Sequence, residues 1–296
     1  MTRKLKLIII LTLGFYYSTY CQENFSNDPL NAKFITEDID RFWTAFSKMD
    51  ELGASAFEEY INNGSNGLKG FISDRIINAD SLYKMVVSRK ADYLKSKNVL
   101  KDLVNKRKRI RAIYSSMKYW YPDATFPPVY FVVGRFNSGG TVSEAGIIIG
   151  TEMLKDLDGL PALIAHELIH FQQKTKEDVN LLFQSIIEGS ADFIGELISG
   201  EQINTTAFQY GELHKDALCK EFVSRMEQKK YEDWLYGTSG KDDRPNDLGY
   251  WIGYKITEAY FNKQKNKHQA IYRILHIKEP NKFLKESGFL NNYIKQ

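Results

Sequence analysis

His166, Glu167 and His170 stand within little more than one helical turn in the run Leu160-Pro-Ala-Leu-Ile-Ala-His-Glu-Leu-Ile-His-Phe-Gln-Gln173. Positions i and i+4 of a helix share a face, so the two imidazoles project side by side and can ligate one ion. Glu167 falls at the edge of that face, where a carboxylate can reach a metal-bound water without displacing it. With five histidines in the chain, a His-Glu-x-x-His run is a specific signal rather than a product of composition. Downstream, Glu188-Gly-Ser-Ala-Asp192 adds two carboxylates one turn apart, set among Ile186, Ile187, Ala191, Phe193, Ile194, Leu197 and Ile198. Burying acids in such surroundings without partners is costly. If the second helix returns antiparallel to the first, Glu188 comes back beside the histidines and completes a His, His, Glu set. That is the ligand type of catalytic zinc sites, which leave the fourth position to water. Asp192, one turn further on, can accept a hydrogen bond from a non-ligating imidazole nitrogen and fix its tautomer. The ligand type points to Zn2+, although another divalent ion could use the same set. A zinc held by His166, His170 and Glu188 would lower the pKa of its water and polarise a carbonyl, with Glu167 as general base passing the proton to a leaving amine.

The elements that must position these groups follow from periodicity. Leu160 to Gln173 reads as a helix with Pro161 in its first turn and Gly159 or Asp158 before it. A polar connection, Lys174 to Asp178, leads to a second helix from Val179 to Ser199. Upstream, Thr36 to Met117 is helical in period: a helix opened by a capping Thr36 and running to Phe46, then Ala54 to Ile61, Leu68 to Ile77, Ser81 to Lys95 and Val99 to Met117. The pattern changes at Pro127-Pro128, where Val129 to Val133 and Thr141 to Ile149 read as two strands of an antiparallel pair around the turn residues Asn137-Ser-Gly-Gly140. A helix opens after Pro245, with Gly249 and Gly253 one turn apart to admit another backbone and Tyr250 and Tyr254 on a shared face. The expected fold class is α+β and predominantly helical. It comprises a helical N-terminal region, residues 23–125, then a core, 126–296, in which a small antiparallel sheet precedes the active-site helix.

Residues 1–22 read as a signal peptide. Arg3, Lys4 and Lys6 form a basic start, Leu7 to Phe15 is an apolar run too short to span a bilayer, and Thr19 and Cys21 suit the positions before a cleavage near Cys21 or Gln22. An exported protein, periplasmic or secreted, is expected, with membrane attachment only if Cys21 is lipid-anchored. The 296 residues hold 40 basic and 37 acidic side chains; without the three basic residues of the leader the two signs balance at 37 each. That balance argues against capture of nucleic acid, and the run Lys106-Arg-Lys-Arg109 with Arg111 reads as a solvated helix face. Two cysteines, Cys21 and Cys219, exclude a disulfide scaffold and a Cys-rich zinc module. Cys219 reads as a buried apolar residue, and His214, His268 and His276 as surface or helix-end residues. Arg244 either binds a substrate carboxylate or pairs with Asp242 or Asp243.

Taken together, His166-Glu167-x-x-His170 followed by Glu188-x-x-x-Asp192 resembles the gluzincin zinc metallopeptidases over about residues 160 to 200. The resemblance implies a zincin-like core, a peptide or protein substrate held in extended form along the edge of the sheet, where Thr141 to Ile149 falls, and a Tyr or His donor to the oxyanion from a C-terminal helix. Tyr250 and Tyr254 are the candidates for that donor, Tyr250 the better one because Gly249 beside it allows close approach. The whole-chain layout is also similar to bacterial predicted zinc-dependent proteases, including gliding-motility-associated lipoproteins. Two rival readings are a non-catalytic secreted or envelope protein with a structural zinc, which leaves Glu167 without a purpose, and a zinc amidase acting on cell-wall peptide.

Overall fold

A computed structural model describes residues 25–175, 180–236 and 244–294; the expected leader, Cys21, Asp242 and Asp243 lie outside them. The molecule is α+β and predominantly helical, built around a small four-stranded mixed sheet. Strands β1 (Phe34–Ile35), β2 (Val129–Val132), β3 (Gly140–Ser143) and β4 (Gly146–Gly150) lie in the order β1-β2-β4-β3. The sheet departs from the antiparallel pair expected of Val129 to Val133 and Thr141 to Ile149. β2 pairs with β4 in parallel, Val129 opposite Ile147 and Val132 opposite Gly150. Only β3 and β4 are antiparallel, Gly140 opposite Ile149. The reason is a turn inside the second apolar run. At Glu144-Ala145 the chain doubles back, Ala145 N donates to Ser143 Oγ (3.2 Å), and Gly146 takes φ 142°, in a place where a Cβ would lie 2.4 Å from Pro128 O. One expected strand thus becomes a hairpin whose first arm is an outer edge of the sheet.

Strands β2 and β4 are buried on both faces, as parallel strands between helical layers are. The two-residue alternation of side chains divides them between two cores. Tyr130, Val132 and Ile148 join the core of α1 (Glu37–Leu52), α2 (Ala56–Asn62), α3 (Asn66–Phe71), α4 (Ala79–Ser88) and α5 (Lys90–Val99). Val129, Phe131, Ile147 and Ile149 face the other core, formed by α6 (Leu103–Trp120), α7 (Leu160–Gln172), α8 (Leu181–Ser199) and, after α9 (Thr205–Leu213) and α10 (Lys215–Arg225), α11 (Leu248–Lys263) with α12 (Lys267–Leu275) and α13 (Pro280–Ser287).

Several local readings change at element ends. Thr36 precedes α1 but makes no capping hydrogen bond. The stretch expected as Leu68 to Ile77 is α3 followed by a π-helical turn, Ile72–Ile76, and Ser81 to Lys95 is divided between α4 and α5 at Arg89. The basic run of α6 is docked rather than wholly solvated: Lys106 pairs with Asp158 (2.7 Å), and Arg109 donates to Ser199 O (2.7 Å) at the end of α8. Among the described residues no helix is long and apolar enough to cross a membrane.

Candidate active site

Helix α7 is buried on most of its surface, apolar residues surrounding the few polar ones, the pattern of a helix enclosed by its neighbours. Pro161 in its first turn, where the missing N–H costs nothing, starts it in the expected place. Helix α8 is capped at its start by Asn180, whose Oδ1 accepts from Phe183 N (2.9 Å), and at its end by Gly200 in the left-handed region, φ 78°. It runs back along α7, and small residues let α11 lie directly on its other side. A Cβ on Gly253 would fall 1.7 Å from Ser185 O, and one on Gly189 would fall 2.0 Å from Tyr254 N. The two glycines one turn apart, Gly249 and Gly253, thus both face α8, with Ser185 against each.

This packing brings His166, His170 and Glu188 together, one ligand atom of each lying within 4.8 Å of the others. His166 Nε2 and His170 Nε2 are 2.9 Å apart, and Glu188 Oε2 lies 3.0 Å from the second and 3.6 Å from the first. The remaining ring nitrogens are taken by acceptors. His166 Nδ1 donates to Asp192 Oδ1 (2.8 Å) and His170 Nδ1 to Gln173 Oε1 (2.8 Å). The amide orientation of Gln173 is set by its Nε2, which donates to Ile187 O (2.8 Å) and Ser190 Oγ (3.0 Å). With both protons at Nδ1, two Nε2 lone pairs and a carboxylate oxygen converge on one point, an arrangement that needs a positive charge among them. A tetrahedral zinc with bonds of about 2.05 Å spaces its ligand atoms about 3.3 Å apart, within the range seen here. The residues therefore fit the ion.

Electrostatics point the same way. Burial would raise the Glu188 carboxyl, but the His170 and His166 imidazoles overcome it and hold it well below the usual carboxylate range. Burial opposes charge on His166, yet Asp192 and Glu188 outweigh it and raise its proton affinity well above that of free histidine. Glu167, 6% exposed, is pushed up by burial, while His166 and His170 pull it down. Its carboxylate presses on the edge strand: a Cβ on Gly140 would lie 2.5 Å from Glu167 Oε1. A bare backbone at the start of β3 is what leaves room for this side chain.

His166, Glu167, His170 and Glu188 line a cleft of about 990 Å³ together with Arg75, Asn137, Ser138, Thr141 and Val142 on the sheet side. Gln184, Tyr236 and Tyr250 line it on the helix side. The Tyr250 ring stacks on His166 at 6.0 Å, and burial, aided by Glu188, holds its hydroxyl protonated far above the usual phenol range. Tyr254 is not part of this lining; its ring packs edge-on against Phe193 (5.3 Å) and Phe208 (4.8 Å). Arg244 also stays outside the cleft lining, paired with Glu221 (2.8 Å). His214 and His268 are exposed and His276 is half-buried, each with Nδ1 on a backbone carbonyl, and Cys219 is buried with a free thiol.

Four contacts had not been anticipated. Tyr236 donates its hydroxyl to Glu188 Oε1, and Gln184 Nε2 donates to the same oxygen (3.1 Å). Asn204 Nδ2 donates to Asp192 Oδ2 (2.6 Å), and Gln173 orients His170. Gln173 and Gln184 stand three and four residues from the groups they touch, so helical spacing could have found them. Tyr236 has no such signal. It is 48 residues from Glu188 in a loop at φ 58°, its N–H held by Asp247 Oδ1 (3.0 Å).

Asp192 is bonded by Asn204 on one oxygen and by His166 on the other, so its loss frees the ring to turn. Asp192→Ala is expected to weaken zinc affinity about 10- to 100-fold in a chelator-competition titration. Equal affinities in parent and variant would remove Asp192 from the metal centre.

No curated protein matches the chain. Residues 132–278, which carry His166, Glu167, His170, Glu188, Asp192 and Tyr250, match the model of the family described as "Predicted Zn-dependent protease (DUF2268)".

Proposed function

We propose that this protein is a zinc-dependent peptidase in which Glu167 is the general base. The observation that carries the reading is the convergence of His166, His170 and Glu188 on one point, in a cleft where the Glu167 carboxylate has no ion-pair partner among the described residues. A zinc ion held there supplies Lewis-acid polarisation of a carbonyl and a water of lowered pKa. The chain supplies the rest. Among the described residues β3 is an outer strand with only β4 beside it, so its other edge can pair with an extended peptide and lay a peptide bond across the metal centre. Glu167 takes the proton of the attacking water and delivers it to the departing amine. Tyr250, whose hydroxyl burial keeps protonated, is the donor available to a developing oxyanion, while Tyr236 spends its hydroxyl proton on Glu188. Gln173 and Asp192 hold both imidazoles in the tautomer that presents Nε2. The gluzincin resemblance, with Glu188 as third ligand and Asp192 one turn beyond, supports the same assignment.

Metal removal tests it. The chain stripped of metal by a chelator is expected to cleave no member of a mixed peptide library, and to recover cleavage when one equivalent of zinc is restored. Undiminished cleavage by the stripped chain would end the reading.

A further inference from the structure

Neither metal ligation nor proton transfer uses the cation in the cleft. Arg75 is the one Lys or Arg among the described residues lining it, and its guanidinium has no ion pair or hydrogen bond with any described residue. The chain goes to some trouble to put it there. Arg75 lies in the π-helical turn Ile72–Ile76, closed by Ile77 N donating to Ile72 O (2.6 Å), and Ile77 follows at φ 71°, a backbone conformation that a β-branched residue adopts only when held. What holds it is the loop entering β3. The Arg75 carbonyl accepts from Arg135 Nε (2.8 Å) and Asn137 Nδ2 (3.0 Å). Helix α3, just before the turn, lies close on the hairpin: a Cβ on Gly70 would meet Ser143 at 3.0 Å and Ile148 at 3.2 Å. The backbone of Arg75 is thereby held against the loop that enters β3, and its side chain lines the cleft with Asn137, Ser138 and Gly140 at the starting end of the strand along which an extended peptide would run. The guanidinium is near enough to lower the proton affinity of Glu167, but not paired with it.

A half-buried guanidinium presents planar donors that backbone amides of a peptide satisfy poorly and a carboxylate satisfies in pairs. Partial burial makes such a pair stronger than one on the open surface. We propose that Arg75 binds a carboxylate of the substrate, so that the cleft selects peptides presenting a free C-terminus or an acidic side chain on the side of Arg75, Asn137 and Ser138. The inference rests on the peptidase reading and names its substrate class. Arg75 lies outside residues 132–278, so this selectivity comes from a part of the chain beyond the family match.

The test is peptide binding by the full-length, zinc-loaded Glu167→Gln chain, read by fluorescence anisotropy. Two matched pairs of fluorescein-labelled peptides serve as probes: a free C-terminal acid against its amide, and amidated pools with Glu against pools with Gln. The acid member of one pair is expected to bind about 10- to 100-fold more tightly than its neutral twin. Which pair shows the gap tells a C-terminal carboxylate from a side-chain one. Arg75→Met in the same background should close the gap without changing zinc content or melting temperature, and Arg75→Lys should restore part of it. Equal binding within both pairs, an equal loss of all four probes in Arg75→Met, or no binding of any probe would each overturn the proposal. Hydrolysis by the parent chain separates the two ideas. A gap that depends on Arg75 in a chain that cleaves nothing leaves the carboxylate site standing without the peptidase. Cleavage indifferent to acid or amide leaves the peptidase standing without the site.

Discussion

Glu167→Gln is expected to keep one zinc per chain and to lower peptide hydrolysis by about 10²- to 10⁴-fold. The substitution preserves volume, which matters because the Glu167 carboxylate fills the space left by Gly140 and is nearly excluded from solvent. It removes only the ability to accept and return a proton. The three ligand atoms belong to His166, His170 and Glu188, so metal content should not change. Metal analysis and steady-state kinetics on the same preparation give the answer. Loss of zinc would mean that Glu167 supports the metal centre instead, and near-parental turnover would remove it as the base.

Gly253→Ala is expected to destabilise the chain by about 3 kcal/mol or more, because the clash is between two backbones rather than with a side chain that can swing away. The added Cβ would lie 1.7 Å from Ser185 O and 2.4 Å from Ser185 C, so α11 and α8 must separate. In a chain of this size that corresponds to a fall in melting temperature on the order of 10 °C. Ser185 is one turn before Glu188, so zinc affinity should fall as well. Gly195→Ala is the control. Its Cβ would meet nothing closer than His166 N at 3.5 Å, and the better helix propensity of Ala should leave stability unchanged or raised by up to about 1 kcal/mol. Equal melting temperatures for the Gly253 and Gly195 variants would show slack in the α8–α11 crossing and weaken the account of how Glu188 is placed.

The contrast between these positions shows where sequence reading reaches and where it stops. His166, Glu167 and His170 are tied together by the pitch of one helix, and that pitch is a property of the backbone that a spacing of four residues reports directly. The same holds for Glu188 and Asp192 on α8, and for the pair Gly249 and Gly253, whose lack of side chains announces a close approach before the approaching backbone is known. Strand pairing is different. An apolar run such as Thr141 to Ile149 suits either direction and either one strand or two, because parallel and antiparallel neighbours bury the same side chains. The turn at Glu144-Ala145 lacks the Asn-Gly or Asp-Gly signal that marks tight hairpins.

Residue order alone carried the chemistry that fits within a turn, two imidazoles and a carboxylate on one helix and two further acids on the next, together with the fold class, a predominantly helical α+β chain with a small sheet. Which of two tyrosines one turn apart reaches the cleft was settled by packing, since Tyr250 stacks on His166 while half-buried Tyr254 packs against Phe193 and Phe208. Packing also decided that Tyr236 meets Glu188 and that Arg75 faces the cleft while Arg244 pairs with Glu221. Helical period links residues three or four apart. Contacts made across 48 residues of chain, or from α3 to the edge of a sheet, depend on crossing distances and strand order, which arise only when whole elements pack.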